Sequence, residues 1–323
     1  MTINQILKIC TEKLHKCNIK NPPLEAEILL AFLLKKPREF LLAHPEIKLS
    51  KKQTSNFQFL ISKRLAGWPV AYLIGHKEFY GLDFLVNRNV LIPRPETELM
   101  VEEAVNLLSR IAYRVSPNAK GVKPLKRGLT PYYIIDLGTG SGCLIITLAK
   151  LFKDRKSDFG YPKSDFSFLA TDISKKALTV ARKNAKLNKV DDKIKFLQGN
   201  LLEPITKNPN FQFQISNFFI LANLPYLTPS QIKNSPTIQS EPSRALNGGR
   251  DGLKYYRELF GQIKKISDMR YAIQDTRYVL CEIDPSQKNK MIKLIKNNLP
   301  KATYQIKKDL RGHHRLIIIR ISS

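Results

Sequence analysis

The apolar run Tyr132-Tyr133-Ile134-Ile135 ends in Asp136-Leu137-Gly138-Thr139-Gly140-Ser141-Gly142 and passes at once into Cys143-Leu144-Ile145-Ile146. A short apolar run of this kind is a strand buried on both faces, as in a parallel sheet. Three glycines spaced two apart then turn the backbone tightly, and a helix follows. Strand, glycine loop and helix together open an α/β layer. The pattern repeats downstream. Strands are expected at 132–136, 166–171, 193–198, 218–223 and 277–283, with helices at 142–152, 174–187, 252–267 and 285–298. A last pair of strands, 302–308 and 314–321, is joined too briefly for a crossover helix and must form an antiparallel hairpin. Such alternation predicts a doubly wound, mostly parallel α/β sheet.

The first 70 residues differ. Ile3, Ile6, Leu7, Cys10, Leu14 and Cys17 fall on one helical face, with Thr2 as cap. Asn21-Pro22 opens a second helix through Leu34, Pro37 a third, and Ser50 a fourth that stops at Gly67. Residues 1–70 are therefore expected to form a small helical bundle. Residues 71–95 are expected to form a β-hairpin linker, with Phe79 to Val86 as one strand, Asn87-Arg88-Asn89 as the turn and Val90-Leu91-Ile92 as the return. The α/β domain then takes residues 96–323. Two stretches rich in turn residues and charge, 115–130 and 153–165, read as surface insertions.

The formal net charge is +27, from 54 Lys and Arg against 27 Asp and Glu. Such an excess attracts polyanions, so a weak pull towards ribosomes or RNA is expected. The charge is spread along the chain, however, with one denser run from Arg110 to Arg127, which fits solvated surface better than a dedicated groove. Four cysteines without paired spacing point to a reduced, cytoplasmic protein. Residues 1–10 lack the pattern of a signal peptide, and no apolar run reaches membrane-spanning length. No metal cluster is expected: His313 and His314 have no partner cluster, so no metal site is assigned. A monomer is the simplest assembly.

In open α/β sheets ligands sit beyond the carboxyl ends of the strands at the topological switch point. Asp136, Gly138, Thr139, Gly140, Ser141 and Gly142 stand at such a strand end. The spacing Gly-x-Gly-x-Gly fits S-adenosylmethionine better than a dinucleotide, which calls for Gly-x-Gly-x-x-Gly. Asp172 ends the second strand, where a carboxylate can accept both ribose hydroxyls. Asn200 and Leu201 end the third, where an adenine edge should lie. The fourth strand ends in Asn223-Leu224-Pro225-Tyr226. An amide or aniline-like NH2 group is a poor nucleophile because its lone pair is delocalised. The Asn223 Oδ1 and the Leu224 carbonyl can accept its two hydrogens, Pro225 holds Leu224 extended, and Tyr226 can stack on the planar group. These residues point to S-adenosylmethionine-dependent methylation of a planar NH2 group, and glutamine, adenine N6 and cytosine N4 all satisfy the description.

Further segments resemble one family. Gly67-Trp68-Pro69-Val70-Ala71-Tyr72-Leu73-Ile74-Gly75, Phe79-Tyr80-Gly81, Pro93-Arg94-Pro95-Glu96-Thr97-Glu98, Glu241 through Leu253, Leu280-Cys281-Glu282-Ile283 and Asp309 through Arg315 are similar to segments of the HemK/PrmC family, the release factor glutamine methyltransferases. The resemblance implies a class I (Rossmann-like) S-adenosylmethionine methyltransferase sheet. It implies methyl transfer to the side-chain amide of the glutamine in the Gly-Gly-Gln motif of class 1 peptide chain release factors. It gives the cofactor to Gly138–Gly142 and Asp172, and the glutamine to Asn223–Tyr226. Three departures stand out. Leu224 replaces a proline, which also makes the tetrad similar to that of ribosomal RNA adenine dimethylases. Asn200 stands where an acid is common, and the stretch from Lys150 to Asp172 is long. Adenine-N6 or cytosine-N4 methylation of nucleic acid is the alternative.

Overall fold

The computed structural model describes residues 1–115, 132–154, 166–208, 218–267 and 277–321. Residues 116–130 and 155–165 of the two expected surface insertions, and most of the basic run from Arg110 to Arg127, lie outside these residues; Val115, Lys153 and Asp154 end helices instead. Contacts divide the chain into two compact units: one of residues 1–76, 86–88 and 235–240, the other of residues 77–85, 89–234 and 241–323.

The first unit is helical: α1 (Ile3–Lys16), α2 (Pro22–Leu34), α3 (Arg38–Ala43), α4 (Lys51–Leu65) and α5 (Val70–Ile74). Thr2 and Ser50 each cap a helix reciprocally with the glutamine three residues on, satisfying N–H groups that a helix start leaves bare. Asn21 does not cap α2 with its side chain; it lies in the left-handed region, and Pro22 begins the helix. Ile3, Ile6, Leu14, Leu29, Leu30 and Phe57 form the core. Arg64 reaches Glu25 at 2.5 Å across two of these helices.

In the second unit β1 (His76–Phe79) and β2 (Leu82–Leu85) pair as a hairpin, and α6 (Glu98–Val115) follows a single 3-10 turn at Pro95–Thr97. The hairpin corrects the sequence reading. Its turn is Tyr80-Gly81, both at positive φ (52° and 75°), the geometry whose twist matches that of the flanking strands. Asn87–Asn89 is no hairpin turn, and Val90–Ile92 is irregular although Val90 and Ile92 are buried. Residues 70–74, inside or beside the expected linker, are helical.

Seven strands form the main sheet: β3 (Tyr132–Leu137), β4 (Phe166–Asp172), β5 (Ile194–Gln198), β6 (Phe218–Ala222), β7 (Arg277–Glu282), β8 (Thr303–Lys308) and β9 (His314–Ile321). Their order is β5-β4-β3-β6-β7-β9-β8, parallel except for β9, which runs antiparallel to both β7 and β8. The helices are α7 (Cys143–Asp154), α8 (Lys175–Leu187), α12 (Lys254–Ser267) and α13 (Lys288–Asn298), with single turns α9 (Glu203–Thr206), α10 (Pro229–Lys233) and α11 (Ser243–Leu246). One face of the sheet packs on α12 and α13 through Phe218, Ile220, Tyr256 and Ile317. The other packs on α6 and α7 through Ile134, Phe219, Leu280 and Ile145. The chain passes from β3 to β4 on one side and reaches β6 on the other, so β3 and β6 flank the switch point. Among the described residues no helix is long and apolar enough to cross a membrane.

Candidate functional site

The glycine loop leaves β3 at the switch point with Gly138, Gly140 and Gly142 at φ of 67°, 56° and 83°. Gly142 is fixed by close packing: a Cβ there would lie 2.6 Å from Ile146 Cδ1 and 3.3 Å from Ala181 Cβ. Gly140 is different, since a Cβ would meet nothing nearer than 3.9 Å and would occupy open space above the loop. That space belongs to a small pocket lined by Leu91–Arg94, Thr97, Asp136, Gly138–Ser141, Cys143, Leu144 and Asn223.

Two carboxylates hold the loop. Asp172, at the end of β4, accepts the Gly140 N–H at 2.9 Å on one oxygen and the Ser174 N–H at 2.8 Å on the other. Asp136 accepts the Thr139 hydroxyl at 2.6 Å. Burial pushes the Asp136 carboxyl up to about 7 despite that hydroxyl, and the Asp172 charge adds to the rise. Burial also raises Asp172 above the ordinary carboxylate range. Asn184 on α8, fully buried, donates to Ser141 O at 2.8 Å and exchanges two bonds with Leu85, so the loop and the hairpin share one anchor.

Asn223 follows β6 and lines the same cavity. Its Nδ2 donates to Thr97 Oγ1 at 3.2 Å. Leu224 is buried, with its Cδ2 3.4 Å from where a Gly138 Cβ would stand. The Leu224 backbone lies beside the Tyr256 hydroxyl, which is itself fully buried and donates to Ala222 O and Glu282 O. Tyr226 donates its hydroxyl to Glu282 Oε1 at 3.0 Å. Asn200 donates to Glu258, and Leu201 is buried in the core; neither lines the cavity.

The segment Glu241–Leu253 backs the tetrad. A Cβ on Gly248 would lie 2.5 Å from Pro225 O, and one on Gly252 2.1 Å from Tyr226 O, so only glycine lets the two backbones touch. Gln287 donates to the same Tyr226 carbonyl at 2.5 Å. Glu241 accepts the Ile92 N–H at 3.1 Å and pairs with Arg94, clamping the Pro93–Glu98 segment against the tetrad's support. Glu98 in turn accepts the Tyr80 N–H at 2.9 Å at the hairpin turn. Reasoning from the sequence did not assign Thr97, Glu241, Tyr256 or Glu282 a role. For Thr97, Glu241 and Glu282 the only signal was membership of segments with a family resemblance, and Tyr256 carried none, because their partners lie far away along the chain.

A parallel sheet with an antiparallel last strand, a glycine loop at the switch point and a tetrad opposite it define a class I methyltransferase. A model of the PrmC N-terminal domain matches residues 5–75, and one of a methyltransferase domain matches residues 131–312. The release factor glutamine methyltransferase of Dictyoglomus turgidum is 34% identical over 318 residues, covering 98% of this chain and 97% of that one. That of Bacillus anthracis is 30% identical over 297 residues, with 91% of each covered. A bifunctional methyltransferase of Rickettsia felis is 32% identical across 98% of this chain, which spans only 58% of that protein. Among solved structures, the hMettl16 catalytic domain in complex with the MAT2A 3'UTR hairpin 6 superposes with a TM-score of 0.51 at 16% identity, covering 91% of this chain and 93% of that one, a likeness of fold. The chain belongs to the release factor glutamine methyltransferase family.

Proposed function

We infer that this enzyme transfers a methyl group from S-adenosylmethionine to the side-chain amide nitrogen of the glutamine in the Gly-Gly-Gln motif of class 1 release factors. The observation that carries the reading is the placement of Asn223, with its amide nitrogen spent on Thr97, beside the cavity over the glycine loop. The open space above Gly140 and the Asp136 carboxyl beside it support an adenosyl cofactor, with Asp172, which does not line the pocket, holding the loop through the Gly140 N–H. S-adenosylmethionine, when bound, supplies an electrophilic methyl on a sulfonium.

The residues of this chain do the rest. With Nδ2 occupied, Asn223 offers Oδ1 to one N–H of the substrate amide, and the Leu224 carbonyl accepts the other. Two acceptors fix the NH2 plane and turn the nitrogen lone pair towards the donor. The Tyr226 ring, anchored through its hydroxyl on Glu282, sets the angle of the planar group. Rate enhancement then comes from positioning in a closed site. Named relatives at 30–34% identity over most of the chain support a glutamine in a release factor over a nucleobase.

The experiment is a competition. Labelled S-adenosylmethionine is incubated with the protein, a class 1 release factor and ribosomal RNA. The label is expected on the Gly-Gly-Gln peptide; label on RNA alone would overturn the reading.

A further inference from the structure

Resting on the reading of Asn223 as the substrate-amide acceptor, we propose that Thr97 and Glu282 are positioning residues that fix which way the Asn223 amide faces. Both are buried, at 2% exposure each, and neither lies in the tetrad or the glycine loop. Asn223 Nδ2 donates to Thr97 Oγ1 at 3.2 Å, and Tyr226 donates to Glu282 Oε1 at 3.0 Å. The other carboxylate oxygen, Oε2, is buried without a hydrogen-bond partner, and the Thr97 hydroxyl stands beside this carboxylate.

The chemistry of these groups gives the chain of bonds a direction. A carboxylate accepts and does not donate, so a hydroxyl beside it turns its proton inward. The Thr97 oxygen then shows a lone pair to Asn223, which answers with NH2 and leaves Oδ1 for the cavity. A flipped Asn223 would set oxygen against the Thr97 oxygen and present NH2 to the NH2 of a glutamine. Burial raises the Glu282 carboxyl above its ordinary value, Glu96 adds to the rise, and the hydroxyls of Thr97 and Tyr226 with the Arg315 charge counter part of it. One buried carboxylate thus orients both polar members of the tetrad, Asn223 through Thr97 and Tyr226 directly. The segments Pro93–Glu98 and Leu280–Ile283 meet at this point.

Three variants test the proposal. Glu282→Gln places an NH2 where Oε2 was, which can reverse the Thr97 hydroxyl; kcat is expected to fall about 100-fold, the loss typical of misplaced reacting groups. Thr97→Val removes the hydroxyl at nearly constant volume and should lower kcat by at least about 10-fold, while Thr97→Ser should keep it within about threefold. Affinity for S-adenosylmethionine should change less than about twofold in all three, because the glycine loop is untouched. Retention of kcat by Thr97→Val, or equal damage from Thr97→Ser and Thr97→Val, would overturn the proposal, the latter by showing that packing alone matters. A second readout needs no acceptor. In nitrogen-15 spectra the Asn223 side-chain proton bonded to Thr97 should exchange with solvent slowly, and Thr97→Val should abolish that protection. Wild-type protein that labels no release factor yet shows this protection refutes the functional reading and leaves the Asn223 anchor standing. Unprotected wild type refutes the anchor itself.

Discussion

Replacing Gly248 by alanine tests how tightly the tetrad depends on the backbone behind it. The new Cβ would lie 2.5 Å from Pro225 O, 2.7 Å from Gly252 O and 2.8 Å from the Tyr226 Cα. Ordinary Cβ contacts begin near 3.4 Å, so the Pro225 carbonyl must retreat by 3.4 − 2.5 = 0.9 Å or the Gly248 backbone must move as far. None of the three neighbours is a flexible side-chain end. A displacement of about 1 Å in a positioned group costs about 100-fold in rate, or about 2.7 kcal/mol of transition-state stabilisation. Overpacking adds about 1–3 kcal/mol of lost stability. The assay is initial-rate methyl transfer at saturating release factor, with cofactor affinity measured by calorimetry. kcat should fall about 100-fold with cofactor affinity unchanged, since the glycine loop lies elsewhere. Gly261→Ala is the control: it sits within α12 with nothing inside 4 Å of the added Cβ, and it should stabilise by roughly 0.5–1 kcal/mol with full activity. A kcat within threefold of wild type for Gly248→Ala, or a loss confined to cofactor binding, would refute the reasoning.

Other perturbations have equally definite outcomes. Arg94→Ala strands the Glu241 carboxylate, whose side chain is 1% exposed, with the Ile92 N–H as its remaining partner; about 3–5 kcal/mol should be lost in urea unfolding. Asp172→Ala frees the Gly140 and Ser174 N–H groups together, so cofactor affinity should drop in calorimetry while the fold survives by circular dichroism. The Asp136 carboxyl, pushed up to about 7 by burial from an ordinary 3.8, holds its proton more tightly in the native state. Its contribution to stability is therefore full at acid pH and declines as pH rises through that window, at up to about 1.4 kcal/mol per unit. Asp136→Asn should flatten that decline in unfolding curves taken between pH 5 and 8.

Sheet and site were legible in the sequence to different depths. Buried parallel strands such as Tyr132–Leu137 and Phe218–Ala222 are continuous apolar runs bounded by punctuation, and their ends alone brought Asp136, Gly138, Asp172 and Asn223 to one edge. The hairpin was misread because Asn87-Arg88-Asn89 carries the composition of a turn, whereas Tyr80 takes positive φ against its own preference. Its N–H is held by Glu98, 18 residues away. Thr97, Glu241 and Glu282 owe their roles to partners 56 to 149 residues distant, which no local pattern encodes.

The Glu241 clamp also has a history within each molecule's synthesis. Arg94 and Glu241 are separated by 147 residues. At 5–20 residues per second the ribosome takes roughly 7–30 s to bridge them. Throughout that interval the nascent chain holds its Pro93–Glu98 segment with no carboxylate to receive it, and β7, with Glu282, arrives later still. The cofactor loop is thus made well before the parts that aim the acceptor amide. The site becomes complete only after β7 has been translated.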